Sequence, residues 1–251
     1  LGKKTWAVFG FCDIRNFTDT TEVLQEEVMV FVNKIAECVH RIVDKYGGSA
    51  NKNIGDAFLL VWKVNNEEVR RLSNYQMEGK KTRKIKNICD LSLYSFLKTI
   101  IAINSKPDLL AYRKIEKLNE RLPHYKINMG FGLHFGWAIE GAIGSIYKID
   151  ASYLSPNVNM AARLEAATKQ FGVPLLISGE LFCRFSKSVQ KKCREIDKVT
   201  VKGSVNPIGL YSYDIDVSKI RPSAIKIINV AERQKNQKYR KNQIFNNYLE
   251  G

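Results

Sequence analysis

The sequence has no long hydrophobic run, since none of its apolar stretches approaches the roughly 18 residues that a membrane-spanning helix needs. It also shows no signal-peptide pattern, because Lys3, Lys4 and Thr5 lead directly into a short apolar stretch. We therefore expect a cytoplasmic protein, or one held at the cytosolic face of a membrane by regions outside these residues.

Cysteine and histidine are both scarce. The five cysteines include no CxxC pair, which argues against a disulfide framework and indicates a reducing compartment. Cys12, Cys38 and Cys89 lie within apolar patterns that are typical of buried thiols. The three histidines are far apart and lack zinc-ligand spacing, so no zinc site is expected.

Positive charge is what the sequence has in excess. In 251 residues, 40 Lys and Arg oppose 25 Asp and Glu, for a formal net charge of +15, while 45% hydrophobic residues suffice for a sizeable core. The charge is either a solvated surface or an attraction for polyanions such as nucleotides, nucleic acid or acidic lipid. We favour the solvated surface, and we expect no nucleic-acid partner because no strip combines aromatic and basic residues.

Hydrophobic patterning predicts an α+β fold that begins strand, helix, strand, strand, helix, strand. Apolar spacing from Leu24 to Ile42 predicts one helix, started by Thr20 or Thr21 and ended by Gly47. This order is the βαββαβ pattern of ferredoxin-like folds. The other predicted elements are a strand at 5–12, a hairpin at 49–62, helices within 63–125, and a strand that begins at Ile127. The chain is predicted to turn at Gly136, so that Trp137–Ile143 pairs with this last strand.

The C-terminal part adds further strands and helices to this core. Ser155–Phe171 predicts a helix with Ser155 as its cap, Pro156 at its first position and Gly172 at its end. Further strands are predicted at 174–177, 193–201 and 209–213. We assign residues 1–216 to one domain and 217–251 to a polar, basic extension.

Two aspartates are brought together by the predicted topology. The first and third strands of a ferredoxin-like sheet are antiparallel neighbours, so Asp13 at the end of one lies beside Asp56 at the start of the other. Adjacent carboxylates repel each other unless a cation lies between them, and oxygen ligands suit Mg²⁺ or Mn²⁺. Each aspartate alone is more simply a turn residue; together we interpret them as metal ligands.

Other polar residues are weaker candidates when each is taken alone. Asn159 and Arg163 share a helix face, which suits a sugar and a phosphate, although exposed surface residues are the simpler explanation. Lys52, before the hairpin turn, and Lys202, in a Thr-Val-Lys-Gly segment, are each more simply solvated lysines. The turn 14–18 precedes a helix, so its amide groups are suited to bind phosphate.

Five segments together resemble the class III nucleotidyl cyclases, the adenylyl and guanylyl cyclases. The resemblance runs in the family's order from about Lys4 to Asp216, and the combination is specific although any one segment is weak. The segments are FGFCDIRNFTD (9–19), NKNIGDAFLLVW (51–62), INMGFGLHFGWAIEGAIGS (127–145), SPNVNMAARLE (155–165) and TVKG (200–203).

The resemblance implies a site with two Mg²⁺ or Mn²⁺ ions. Asp13 and Asp56 match the family's metal-binding aspartates, and Ile14 matches the residue whose backbone carbonyl also meets a metal. The triphosphate-binding turn corresponds to Asn16, Phe17 and Thr18. Asn16 replaces a glycine that is common there, so we expect it to adopt a positive φ.

The resemblance also implies which residues contact the sugar, the phosphates and the base. Asn159 and Arg163 match the pair that orients the ribose and stabilises the transition state, and Lys202 matches the triphosphate-binding lysine. Lys52 matches the lysine that reads adenine, where guanylyl cyclases usually carry glutamate. Ser152 stands where adenylyl cyclases often have aspartate or threonine, and its hydroxyl discriminates between bases less strongly.

The implied function is conversion of ATP to 3′,5′-cyclic AMP and pyrophosphate at the interface of a head-to-tail homodimer, or of a dimer with a second cyclase domain. A guanylyl cyclase and a non-catalytic cyclase-like dimerisation module remain alternatives. The stretch between Trp62 and Lys126 is longer than is usual in the family, and we interpret it as a surface insertion.

Overall fold

A computed structural model describes residues 2–64, 80–200 and 207–216. Lys202 and the extension 217–251 lie outside the described residues. The strands are β1 (Lys3–Ile14), β2 (Ser49–Ile54), β3 (Ala57–Val64), β4 (Met129–Ser145), β5 (Lys148–Leu154), β6 (Leu175–Ser178), β7 (Arg194–Val199) and β8 (Ile208–Ser212). The helices are α1 (Phe17–Leu24), α2 (Val28–Lys45), α3 (Lys80–Ile103), α4 (Pro107–Leu110), α5 (Glu116–Arg121), α6 (Pro156–Phe171), α7 (Gly179–Phe182) and α8 (Lys187–Gln190), with short 3₁₀ turns at Gln25–Glu27 and Ala111–Lys114.

The strands form one eight-stranded sheet in the order β2-β3-β1-β4-β6-β8-β7, with β5 paired to β4. The predicted strand–helix order of the core and the α+β class are confirmed, as are the C-terminal strands near 174–177, 193–201 and 209–213. Strand β1 lies between β3 and β4 and is antiparallel to both. None of the helices in the described part of the chain is long and apolar enough to cross a bilayer.

The two faces of the sheet carry different cores. Alternate residues of β1 point to opposite faces, so Val8, Cys12 and Ile14 join the main core with α2 and α3. Ala7 and Phe9 face the other way and pack with Ala161 of α6. Asp13 continues this second series, and it therefore lies on the face of the sheet that α6 covers.

Glycine residues in β4 let helix α6 approach the sheet closely. A Cβ at Gly132 would overlap the backbone of Ala161 and Glu165, and one at Gly136 would overlap the Asn157 side chain. The helix begins and ends as predicted. Ser155 accepts a hydrogen bond from the Asn157 amide, and Gly172 ends the helix in the left-handed region at φ 62°.

The single helix predicted from Thr20 to Gly47 is instead two helices. Helix α1 already begins at Phe17, because Thr20 lies inside its first turn and donates both its amide and its hydroxyl to the Asn16 carbonyl. Gln25 then adopts φ 51° and breaks the helix before α2 begins. The residues at the break are polar and not buried, so the apolar spacing contains no sign of it.

Two further expectations were wrong. Gly136 is not a turn, because β4 runs unbroken through it and reverses only at residues 146–147 to pair with β5. The helical region after Trp62 is not wholly a surface insertion either. Helix α3 buries Leu93, Phe96 and Ile100 in the main core, so it is the second helix of the βαββαβ unit.

The burial of α3 generates a prediction about stability. The Phe96 ring is fully buried and lies 5.8 Å from Trp62 and 5.0 Å from Phe131, measured between ring centroids. We expect Phe96→Ala to lower the free energy of unfolding by about 3–5 kcal/mol, measured by chemical denaturation. Tyr94→Ala on the exposed face of the same helix is the matched control. Equal losses of unfolding free energy in both variants would contradict the burial of α3 in the core.

Candidate functional site

The register of the central strands places Asp13 beside Asp56. Asp13 pairs with Ala57, the residue directly after Asp56, and the two-residue turn between β2 and β3 is formed by Gly55 and Asp56 with Gly55 at φ 62°. The Asp13 carboxyl lies close enough to raise the pKa of the Asp56 carboxyl. The predicted proximity is therefore confirmed, while the metal-binding role of the pair stays a prediction.

Asp13 perturbs the neighbouring Asp56 carboxyl, as is expected of carboxylates placed to share a divalent cation. Partial burial, then the hydrogen bond and negative charge of Asp13, raise the pKa of Asp56 to about 6. A bound divalent cation would relieve this repulsion, and a set of hard oxygen donors suits Mg²⁺ or Mn²⁺. The described ranges contain no group of three or more Asp, Glu, His or Cys side chains placed to hold a metal. Coordination would therefore have to include other oxygens, such as the Ile14 carbonyl.

The turn after Asp13 leads into the N-terminus of α1, a position that suits an anion. Asn16 lies in the left-handed region at φ 54° and ψ 36°, which confirms the predicted positive φ. Its side chain makes no capping hydrogen bond to the described residues, so it does not satisfy the first amides of α1. Phe17 and Thr18 begin that helix, and their amides lie at its positive end, where anions bind.

Lys52 and Ser152, the predicted base-reading residues, lie on neighbouring segments. The side-chain amide of Asn51 donates to the Ala151 carbonyl at 3.3 Å and joins β2 to β5 next to both residues. Ser152 is 9% exposed and pairs with Gly141 of β4, whereas Lys52 is half-buried. The structure thus brings these two predicted residues to one region of the sheet. Lys202 lies outside the described residues.

Asn159 and Arg163 lie on the exposed face of α6. Four residues turn an α-helix by about 400°, so the two side chains share a direction. The helix face toward the sheet is formed by Ala161, Glu165 and Thr168, which are buried. Since Arg163 and Glu165 are about 200° apart around the axis, α6 points Arg163 away from the face on which Asp13 of the same chain lies.

A buried histidine fixes the start of α6. The Asn157 side-chain amide donates to the Trp137 carbonyl at 2.8 Å and to Ser155 Oγ at 3.1 Å, so its oxygen faces His134 Nε2 at 3.0 Å. Nε2 must then carry the proton, and Nδ1 accepts from Ser178 Oγ at 2.8 Å. Burial lowers the pKa of His134, which favours this neutral form.

The sequence did not predict an ion pair that joins the turn after Asp13, residues 14–18, to α6. Arg15 Nη2 lies 2.7 Å from Glu165 Oε1 and donates to the Glu165 carbonyl at 3.1 Å. The residues are 150 positions apart and belong to elements whose contact the sequence did not specify. The only sequence signal was the run of glycines in β4, where Gly130 leaves room for the pair.

The aspartate pair generates a prediction about pH. In metal-free buffer we expect Asp56 to titrate near pH 6, and Asp13→Asn to lower its pKa by removing a negative charge. Because the folded state binds this proton more tightly than the unfolded state, stability should fall as pH rises from about 4 to about 6. Affinity for Mn²⁺ should weaken below about pH 6, since the metal must displace the proton.

Carboxyl carbon NMR of isotopically labelled aspartate measures these titrations directly. Asp19→Asn is the control, because Asp19 pairs with Arg121 at 2.8 Å instead of with Asp56. A pKa for Asp56 near 4 both with and without Asp13 would contradict the interaction between the two carboxyls.

Comparison with known proteins agrees with this arrangement. The model of the adenylate and guanylate cyclase catalytic domain matches residues 4–213. An adenylate cyclase from Anabaena cylindrica is 29% identical over 203 residues, which cover 80% of this chain and 35% of that protein. The chain therefore spans about a third of the length of this relative.

Solved structures share the fold. A bacterial light-regulated adenylyl cyclase aligns with a TM-score of 0.63 at 25% identity, over 84% of this chain and 52% of that one. The adenylyl cyclase CyaB from P. aeruginosa aligns with a TM-score of 0.62 at 20% identity, over 84% and 94%. Since the family match extends over most of the sequence and includes the paired aspartates and α6, the chain belongs to the adenylate and guanylate cyclase catalytic domain family, as the resemblance to class III nucleotidyl cyclases implied.

Proposed function

We propose that this chain is the catalytic domain of an adenylyl cyclase that converts ATP to 3′,5′-cyclic AMP and pyrophosphate. The observation that carries the proposal is the contact between Asp13 and Asp56 beside the amide-lined turn of α1. The identity with adenylate cyclases, at 29% in sequence and 25% for a solved structure, supports the adenylyl activity.

The family is metal-dependent, and the residues present fit two divalent cations. Asp13 and Asp56 would hold Mg²⁺ or Mn²⁺ together with the backbone carbonyl of Ile14. The Ile14 side chain is buried in the core at 2% exposure, which fixes the position of that carbonyl. The ions, when bound, would activate the ribose 3′-oxygen and neutralise charge on the phosphates. The protein's part is to fix the two carboxylates before substrate arrives, which the β1–β3 pairing does.

The active site is completed by a second cyclase domain. Helix α6 directs Asn159 and Arg163 away from the aspartates of their own chain, so they are placed to serve another protomer. Since one chain carries both sets of residues, a head-to-tail homodimer would contain two equivalent composite sites. Pairing with a different cyclase domain would be the heterodimeric version of the same arrangement.

Each side chain then has a defined task in an intramolecular phosphoryl transfer. Asn159 orients the ribose so that its 3′-oxygen faces the α-phosphorus. Arg163 stabilises charge that develops on the phosphoryl oxygens, an effect on the order of 10²–10³ in rate. The departing pyrophosphate is held by Lys202 and by the turn amides of Asn16, Phe17 and Thr18.

Base selection rests on Lys52 in β2 and Ser152 in β5, two strands that the hydrogen bond from Asn51 to Ala151 joins next to these residues. Lysine donates to an acceptor on adenine, and the Ser152 hydroxyl accepts from the amino group. Because a hydroxyl is uncharged, this pair should prefer ATP less strictly than a lysine–aspartate pair would. A guanylyl cyclase is the alternative that this weak acceptor leaves open.

The reaction itself is tested by chromatographic identification of the products. With Mn²⁺ or Mg²⁺ we expect cyclic AMP and pyrophosphate from ATP, and a smaller yield of cyclic GMP from GTP. Asp56→Asn should abolish both products because it removes a metal ligand. Faster turnover of GTP would reassign the activity, and no product from either nucleotide, from dimeric protein with metal, would favour a non-catalytic module.

Sharing of sites is tested by mixing two inactive variants. Asp13→Ala and Arg163→Ala should each lower kcat by a factor on the order of 10² or more. A heterodimer of the two contains one intact composite site of two, and random mixing in equal amounts makes about half of the dimers heterodimers. Mixing should therefore restore activity up to about a quarter of the wild-type value. Arg163→Ala should affect kcat much more than KM for ATP. Absence of recovery, in a mixture shown to contain heterodimers, would argue against shared sites.

A further inference from the structure

A buried ion pair physically connects the two halves of the site that each chain carries. Arg15 directly follows Ile14 in the turn after Asp13, and Glu165 lies two residues after Arg163 on α6. The guanidinium forms an ion pair with the Glu165 carboxylate at 2.7 Å, and it donates hydrogen bonds to the Glu165 carbonyl at 3.1 Å and to the Thr168 hydroxyl. The side chains of Arg15 and Glu165 are only 14% and 6% exposed.

The sheet leaves a place for this contact beside Asp13. Asp13 pairs with Gly130 across the β1–β4 ladder. A Cβ at Gly130 would overlap both the Arg15 guanidinium and the Glu165 carboxylate. The ion pair therefore occupies the space that a side chain opposite Asp13 would fill, and it compensates the negative charge of Glu165 next to the metal-site carboxylate.

The contact also determines how α6 is turned about its axis. Glu165 and Thr168 point inward to Arg15, while Arg163 lies about 200° from Glu165 and points outward. A rotation of the helix that lengthened the ion pair would swing Arg163 by the same angle. The start of the helix is held separately, through the hydrogen bond between Asn157 and His134.

We propose that Arg15 and Glu165 form a positioning link that holds the metal-site turn and the Arg163 helix of one protomer in a fixed relation. The inference rests on the proposed function, because in a head-to-tail dimer the turn serves one composite site and Arg163 serves the other. Each ion pair then supports both sites at once. Neither residue touches the substrate, and both act through their neighbours.

A purely structural ion pair is the competing explanation. Such a pair would affect activity only through the fraction of folded protein. A positioning link predicts losses of kcat in fully folded protein, because a displacement of about 1 Å in a catalytic group costs up to about 100-fold. The two explanations therefore differ in a measurable quantity.

The first experiment places Glu165→Gln in one protomer of a single-site heterodimer. The reference is the mixture of Asp13→Ala and Arg163→Ala protomers, in which the first supplies Arg163 and the second supplies Asp13. In the Arg163-supplying protomer, Glu165→Gln should lower kcat about 10- to 100-fold with KM for ATP nearly unchanged. In the Asp13-supplying protomer it should lower kcat and also raise the Mn²⁺ concentration needed for half-maximal activity.

The control is Asp214→Asn, which breaks the exposed Arg194–Asp214 pair at 2.8 Å between the start of β7 and the segment after β8. It should leave both parameters within about twofold of the reference. An effect of Glu165→Gln in only one of the two protomers, or in neither at a constant folded fraction by circular dichroism, would overturn the link.

A double-mutant cycle tests whether the two residues act as a pair. The combined variant Arg15→Gln/Glu165→Gln removes both buried charges, so its loss of kcat should be smaller than the product of the two single losses. Multiplicative losses would mean that the residues act independently, which contradicts the link.

Hydrogen exchange gives a readout that does not depend on catalysis. In the homodimer, Glu165→Gln should speed amide exchange both in the turn 14–18 and in α6, because the link holds each against the other. Faster exchange in only one of these segments would overturn the proposal. If the reference heterodimer were inactive, the proposed shared site would fail while this measurement would still decide the link.

Discussion

The pairing of β1 with β3 is the constraint on which the rest of the site depends. Their antiparallel register sets Asp13 opposite Ala57, so the preceding Asp56 must share its space with a second carboxylate. Partial burial and the neighbouring Asp13 carboxylate raise the pKa of Asp56. The negative charge of the pair is therefore poorly stabilised unless a cation binds between the two carboxylates. The strands thus place two carboxylates where a divalent metal ion would relieve their repulsion, and the turn before α1 adds amides that would favour phosphate.

Helix α6 directs Arg163 outward, as the proposed dimer requires, while it stays attached to its own sheet. Its inward face fits closely against β4 at Gly132, and its start is held by His134 through Asn157. Arg15 provides the third attachment, from the metal-site turn itself. The helix is therefore attached to the strands that carry the aspartates of its own chain, while Asn159 and Arg163 are directed outward. This separation is the physical reason for proposing a dimer, because the aspartates and Arg163 of one chain point to different sides of α6.

The sequence was sufficient for the features that follow from local pattern and simple topology. Strand order predicted that Asp13 lies beside Asp56, and the family resemblance, with a glycine common at this position, predicted the positive φ of Asn16. The errors arose where a residue's role is set by a distant neighbour. Gly136 was interpreted as a turn although it makes room for Asn157 of α6, and the Arg15–Glu165 contact links residues 150 positions apart. A glycine has the same local signature in a turn and at a close approach, so only the packing distinguishes them.

The central claim is that the paired carboxylates of one protomer hold metal ions opposite the arginine of another. A crystal structure of the dimer with Mn²⁺ and a non-hydrolysable ATP analogue tests it most directly, because manganese is located by its anomalous scattering. The claim predicts anomalous peaks between Asp13 and Asp56, with the partner's Arg163 within hydrogen-bonding distance of the phosphates. Peaks away from these carboxylates, or an Arg163 that reaches the nucleotide of neither protomer, would contradict it.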